Sequence, residues 1–158
     1  MKAMFILVAL LFSPWVNAID SPELFKINSY NKVIDQNKQP FLMVMWSLEC
    51  PPCIKELHML GDLYKQYPDI KLVFVSTDSI LRTNEINQLI NESGLQDFAS
   101  WVFSDDSIQS LRYNIDPGWY GELPRSYFHE TTSNKRYAVS GLLDSKKLLS
   151  WFKRVQNS

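Results

Sequence analysis

The chain has 158 residues, of which 46% are hydrophobic and 21% charged, a composition with enough apolar side chains for one globular domain. Its formal net charge is −1, and paired basic residues such as Lys146-Lys147 and Lys153-Arg154 make no surface of the kind that neutralises a nucleic-acid backbone. Nucleic acid is therefore excluded as a partner.

In chain order, Lys2 gives a weakly positive start, residues 4–12 form an unbroken apolar run, and Val16-Asn17-Ala18 places small residues where a signal peptidase cuts. The run is about half the roughly 20 residues needed to span a bilayer, so a cleaved secretory segment over residues 1–18 is the expectation, with a retained anchor as the alternative. One domain would then cover residues 19–158. After it, Asn28 or Ser29 caps a short helix to about Gln36, and Gln39-Pro40 turns the chain into the apolar run from Phe41 to Trp46, which reads as a strand buried on both faces.

Pro51 and Pro52 stand where a helix would begin, since a missing N–H is harmless in the first turn. Ile54, Leu57, Leu60, Leu63, Tyr64 and Tyr67 then recur at helical spacing until Pro68-Asp69 stops the helix, and a second buried strand runs from Ile70 to Val75. A strand, a helix and a strand in this order form a right-handed βαβ unit with parallel pairing. A further helix is predicted from Thr83 to Glu92, with Gly94 as its stop, then a short strand at Trp101 to Phe103. Asp105 or Asp106 is the expected cap of a helix to about Tyr113, and residues 114–122 read as a loop. Ser126 to His129 and Lys135 to Val139 flank a turn-rich stretch and predict an antiparallel hairpin. Asp144 caps an amphipathic last helix, with Leu148, Leu149, Phe152 and Val155 inward.

The two cysteines, Cys50 and Cys53, lie at the junction of the first strand and its helix. In an oxidising compartment they would ordinarily be read as a structural bridge. A loop of about 4 residues, however, contributes only about 2 kcal/mol of loop entropy, which makes the pair a poor staple. It suits reversible exchange: the helix N-terminus favours an anionic Cys50, and Cys53, one turn later, can attack the mixed disulfide that Cys50 forms.

The run from Trp46 through Cys50-Pro51-Pro52-Cys53, with this order of elements over roughly residues 25–155, resembles the thioredoxin superfamily, and specifically its exported TlpA-like thiol:disulfide oxidoreductases. The resemblance implies an α/β fold of three layers, with a central mixed sheet of four to five strands between helices. It implies no cofactor beyond the redox-active Cys50–Cys53 pair. Leu123-Pro124 matches by position the family's cis-proline, whose role is to hold the backbone of Leu123 open for a substrate strand. Asp78 falls near a carboxylate that relatives place after the second strand, as a general acid/base; the plainer reading is a solvated turn or cap residue. Val44 stands where thioredoxin has a buried Asp, and Glu49 where it has a second Trp.

Trp46, Glu49, Pro51, Pro52, Leu123, Trp119 and Tyr120 are the candidate substrate contacts, the last two as aromatics of the loop before Pro124, or alternatively as a packed local cap. Pro51 and Pro52 remove N–H donors near the sulfur, and Glu49 adds a negative charge, so the thiolate is weakly stabilised and the protein is expected to reduce its clients. Disulfide oxidation or isomerisation, and a non-catalytic binding or redox-sensing module, are the alternatives. A reductant outside the cytoplasm needs recharging, for which relatives use a membrane thiol carrier of DsbD type; the clients would be exported proteins with disulfides. His58 and His129 are too few and too scattered for a metal site; His58 is read as a surface or groove residue and His129 as a structural or exposed one.

Overall fold

The computed structural model describes residues 21–104, 106–131 and 133–156, so the expected secretory segment over residues 1–18 lies outside the described residues. The elements in order are β1 (Glu23–Phe25), α1 (Ser29–Gln36), β2 (Phe41–Trp46), α2 (Pro51–Gln66), β3 (Leu72–Ser76), α3 (Thr83–Glu92), β4 (Ala99–Phe103), α4 (Ile108–Ile115), β5 (Arg125–Glu130), β6 (Lys135–Ser140) and α5 (Ser145–Gln156). A single 3₁₀ turn over Ile80–Arg82 leads into α3.

The strands form one sheet of order β1-β4-β3-β2-β5-β6. β1, β4, β3 and β2 run parallel, whereas β5 is antiparallel to β2 and β6 to β5. The alternation of side chains across the pleat divides the apolar run of β2 between two cores. Leu42, Val44 and Trp46 face α2, α3 and α5, in a core with Cys53, Leu57, Ile86 and Phe152. Phe41, Met43 and Met45 face the other layer, with Val33 of α1 and Leu111 and Ile115 of α4. The result is helices, sheet, helices, as expected for a thioredoxin-like fold.

Three local expectations are corrected. The sheet has six strands rather than four to five, because β1 pairs with β4 through Glu23↔Trp101 and Phe25↔Phe103. Three residues at an edge carry too short a pattern to announce a strand, and its partner lies far along the chain. The cap of α4 is Ser107, whose hydroxyl accepts the Ser110 N–H at 3.4 Å, and not Asp106, whose carboxylate accepts from Ser104 Oγ instead; Asp105 lies outside the described residues. On the inner face of α5, Leu148, Phe152 and Val155 are buried as predicted, but Leu149 is only half-buried and Trp151 is buried against Phe128 and Phe152.

α2 also passes unusually close to the end of α3. A Cβ on Gly61 would lie 1.7 Å from the carbonyl oxygen of Ser93, so the contact requires glycine for space rather than for backbone freedom.

Candidate functional site

β2, β3 and β5 all deliver their connecting loops to one end of the sheet. β2 ends at Trp46 and β3 at Ser76, whereas β5, running the other way, begins at Arg125, which puts residues 47–50, 77–82 and 119–124 together. Cys50 occupies the N-cap position of α2 and forms a disulfide with Cys53, the Cα atoms 5.2 Å apart. Pro51 and Pro52 fill the first two helical positions, so the first free backbone donor is that of Cys53, and it points at the sulfur: the Cys53 N–H lies 3.2 Å from Cys50 Sγ. Cys53 is sealed in the core, while Cys50 is partly exposed. This asymmetry suits an attacking sulfur outside and a resolving one inside.

The Leu123–Pro124 bond is cis, and Pro124 is buried. Its carbonyl accepts the Gly141 N–H at 2.8 Å, tying the loop to the end of β6. Leu123 packs against both cores. Arg125 secures the loop from behind: its guanidinium bonds Asp116 at 2.8 Å and Ser140 at 2.6 Å. Burial pushes the Asp116 carboxyl up, but the Arg125 hydrogen bond, the Gly118 N–H and the charges of Arg136 and Arg125 outweigh it and hold Asp116 below the usual range.

Asp78 is not a solvated turn residue. Its side chain is 6% exposed. One oxygen accepts from Ser47 Oγ at 2.9 Å; the other accepts from the Leu48 N–H at 2.9 Å and Ser76 Oγ at 2.7 Å. The carboxylate thus anchors the loop that carries Cys50 to the end of β3. Glu49 is exposed, but its charge is not solitary: Arg82 Nη1 donates to it at 2.7 Å.

Of the aromatic candidates, Trp46 is wholly buried, and its Nε1 has no hydrogen-bond partner among the described residues. Trp119 is 4% exposed; its Nε1–H donates to the Glu122 carbonyl, and its ring packs in the core against α4. It is therefore inside the fold and not on a client-facing surface, because the loop folds back over Leu111 and Ile115. Tyr120, 88% exposed, is the one of the two that meets solvent. Pro51 is exposed and Pro52 half-buried.

Glu56 has no place among the sequence-derived candidates, yet it is wholly buried on α2, one turn beyond Cys53. Its two oxygens accept from Ser126 Oγ at 3.1 Å and from the Leu143 N–H at 2.9 Å. Burial pushes its carboxyl above the usual range, against the pull of those two hydrogen bonds. The available signal was its position: Cys53, Glu56, Leu57 and Leu60 share the inward stripe of α2, so a charged residue there had to be buried. Arg82 carries no such signal. His58 is exposed, 3.3 Å from Ser93 Oγ, and His129 is buried at the far end of β5 against Phe41. Among the described residues no three of His, Cys, Asp and Glu converge as metal ligands would, and no helix is long and apolar enough to cross a membrane.

A cysteine pair at the start of α2, beside a cis-proline loop on a mixed sheet layered by helices, is the arrangement of thioredoxin-like proteins. No protein-family model matches the chain, and neither does any curated protein. Solved structures do match in fold. A secreted Mycobacterium tuberculosis disulfide oxidoreductase homologous to E. coli DsbE aligns with TM-score 0.58 at 16% identity, over 78% of this chain and 85% of that one. A thioredoxin-related protein from Neisseria meningitidis serogroup B aligns with TM-score 0.58 at 17% identity, over 77% and 88%. The thioredoxin domain of a thiol-disulfide oxidoreductase from Bacteroides vulgatus aligns with TM-score 0.57 at 20% identity, over 76% and 81%. At these identities the likeness establishes a thioredoxin-like fold.

Proposed function

We propose that the chain is a thiol:disulfide oxidoreductase of the cell envelope that reduces disulfides of exported client proteins. The observation that carries the reading is the Cys50–Cys53 disulfide at the first turn of α2, with one sulfur accessible and the other enclosed. In the reduced state the Cys50 thiolate attacks a client disulfide, forming a mixed disulfide and releasing the first client thiolate, which takes a proton from water. Cys53, once deprotonated, attacks Cys50 Sγ, releases the second client thiolate and restores the Cys50–Cys53 bond. Two electrons pass to the client.

The enclosed Cys53 needs a proton acceptor. Asp78 is the candidate suggested by family resemblance, and three donors bind its two oxygens where Glu56 has one donor on each. Glu56 is favoured: it is the third residue on from Cys53 on one helix face, within reach of such neighbours, and its raised pKa suits proton uptake from a thiol. Leu123 makes no backbone hydrogen bond among the described residues, which leaves it free to pair with a client strand beside Cys50.

The direction follows from charge. Pro51 and Pro52 withhold two donors from the sulfur, and Glu49, Asp78 and Glu85 surround the single guanidinium of Arg82, so the loop is negative overall. A weakly stabilised thiolate makes a reductant. Such a protein outside the cytoplasm would be recharged by a membrane thiol carrier of DsbD type. The extracytoplasmic setting is supported by the apolar start of the chain and by a secreted neighbour in fold.

Insulin reduction with a dithiol donor tests the activity: turnover that disappears in Cys50→Ser is expected, and absence of turnover in the wild type would leave a binding or redox-sensing module. Equilibration with glutathione tests the direction; a potential above about −150 mV would make the protein an oxidant. A Cys53→Ser variant should accumulate mixed disulfides that identify the clients.

A further inference from the structure

The three residues between β2 and the nucleophile are all held from one side. Asp78 takes the Ser47 hydroxyl and the Leu48 N–H, and Arg82 takes the Glu49 carboxylate. The Ser47 hydroxyl in turn accepts the Glu49 N–H at 3.2 Å, and the Ser47 carbonyl accepts that of Cys50 at 3.2 Å. Arg82 itself is immobilised by the first turn of α3: its Nε and Nη2 donate to the two oxygens of Glu85 at 2.9 and 2.6 Å, and its Nη1 lies 3.8 Å from Asp78. A bidentate guanidinium with two contacts spent on Glu85 offers its remaining edge in a fixed direction, and that edge meets the residue next to Cys50.

Other charged groups near the cysteines are engaged elsewhere. On α2, Glu56 is bonded to Ser126 and Leu143, and Lys55 is exposed on the opposite side of the helix from the core. From the cis-proline loop, Arg125 is taken by Asp116, Glu122 and Ser140. Asp144, after β6, caps α5 through the Lys147 N–H. Arg82 is the cation joined directly to the nucleophile's neighbour.

We propose that Arg82 is a positioning residue for Cys50: by clamping the Glu49 carboxylate it sets the charge beside the nucleophile and so the fraction of Cys50 that is thiolate. The proposal rests on the thiol-exchange reading for its meaning, but its test does not require turnover. In a reduced Cys53→Ser background, one thiol remains, and the pH dependence of its alkylation by iodoacetamide reports its ionisation.

Arg82→Gln releases Glu49 and removes the cation, so the alkylation midpoint should rise by about one pH unit, an effect at the low end of that of a neighbouring charge. Arg82→Lys should restore most of the shift. Adding Glu49→Gln to Arg82→Gln should bring the midpoint back towards the starting value, because the carboxylate to be clamped is gone. With both cysteines present, and at a pH well above the alkylation midpoint, Arg82→Gln should shift the glutathione equilibrium towards the disulfide by up to about tenfold, equivalent to about 30 mV more reducing. A midpoint unchanged within about 0.2 units in Arg82→Gln, with native circular dichroism, overturns the proposal. Should Arg82→Gln not fold, Arg82→Met, which keeps the side-chain stem and removes the guanidinium, is read in its place: a raised midpoint supports the clamp and an unchanged one refutes it. Failure of the wild type to reduce insulin would refute the function while leaving this measurement intact.

Discussion

His129 provides a pH dependence whose size and sign can be worked from its surroundings. It lies on β5, 6% exposed, with its ring stacked on Phe41 at 4.5 Å and close to Tyr30, and its buried Nε2 has no hydrogen-bond partner among the described residues. Burial and the charge of Arg136 lower its pKa from the ordinary 6.5 to about 4. Between these values the unfolded chain binds a proton that the folded chain refuses, so stability is fully present above pH 6.5 and is lost as pH falls towards 4. A difference of about 2.5 units at 1.36 kcal/mol each puts the loss at about 3 kcal/mol. Urea unfolding at intervals from pH 7.5 to 4 should show this slope in the wild type. In His129→Leu the curve should be flatter by that amount, whatever its offset from lost packing against Phe41. A wild-type and variant difference that stays constant across the range would refute the reasoning.

Three further outcomes are expected. Glu56 titrates with the opposite sign: its raised pKa gives stability that is lost as pH rises through that value, so Glu56→Gln, which can still accept from Leu143 and donate to Ser126, should remove this loss when unfolding is followed from pH 5 to 9. Gly61→Ala should lower stability by about 1–3 kcal/mol in urea unfolding, since the added methyl meets the Ser93 carbonyl, a backbone atom that cannot swing aside. Trp119→Ala should cost about 3–5 kcal/mol, whereas Tyr120→Ala should stay within about 0.5 kcal/mol by the same measurement, because one ring fills the core and the other lies in solvent.

The cysteine pair was legible because every cue to it is local. A buried strand, two prolines at a helix start and a four-residue cysteine spacing all fall within residues 41–53, and nothing distant is needed to see a sulfur at a helix N-terminus. The same holds for the βαβ unit and for α3, whose apolar period the structure reproduces from Thr83 to Glu92. Asp78 was singled out, but its surroundings were not, since burial of a carboxylate depends on which loop settles over it.

Sequence alone therefore determined where the cysteine pair sits and which faces of the helices and strands are apolar, as side-chain periodicity records a face directly. Only the tertiary structure decided what those faces and loops meet. Glu56 finds Ser126 and Leu143 across 70 and 87 positions, Arg82 finds Glu49 across 33, and β1 finds its place beside β4. Such partners are selected by the packing of whole layers, a free energy summed over the core, and no short stretch of chain carries it.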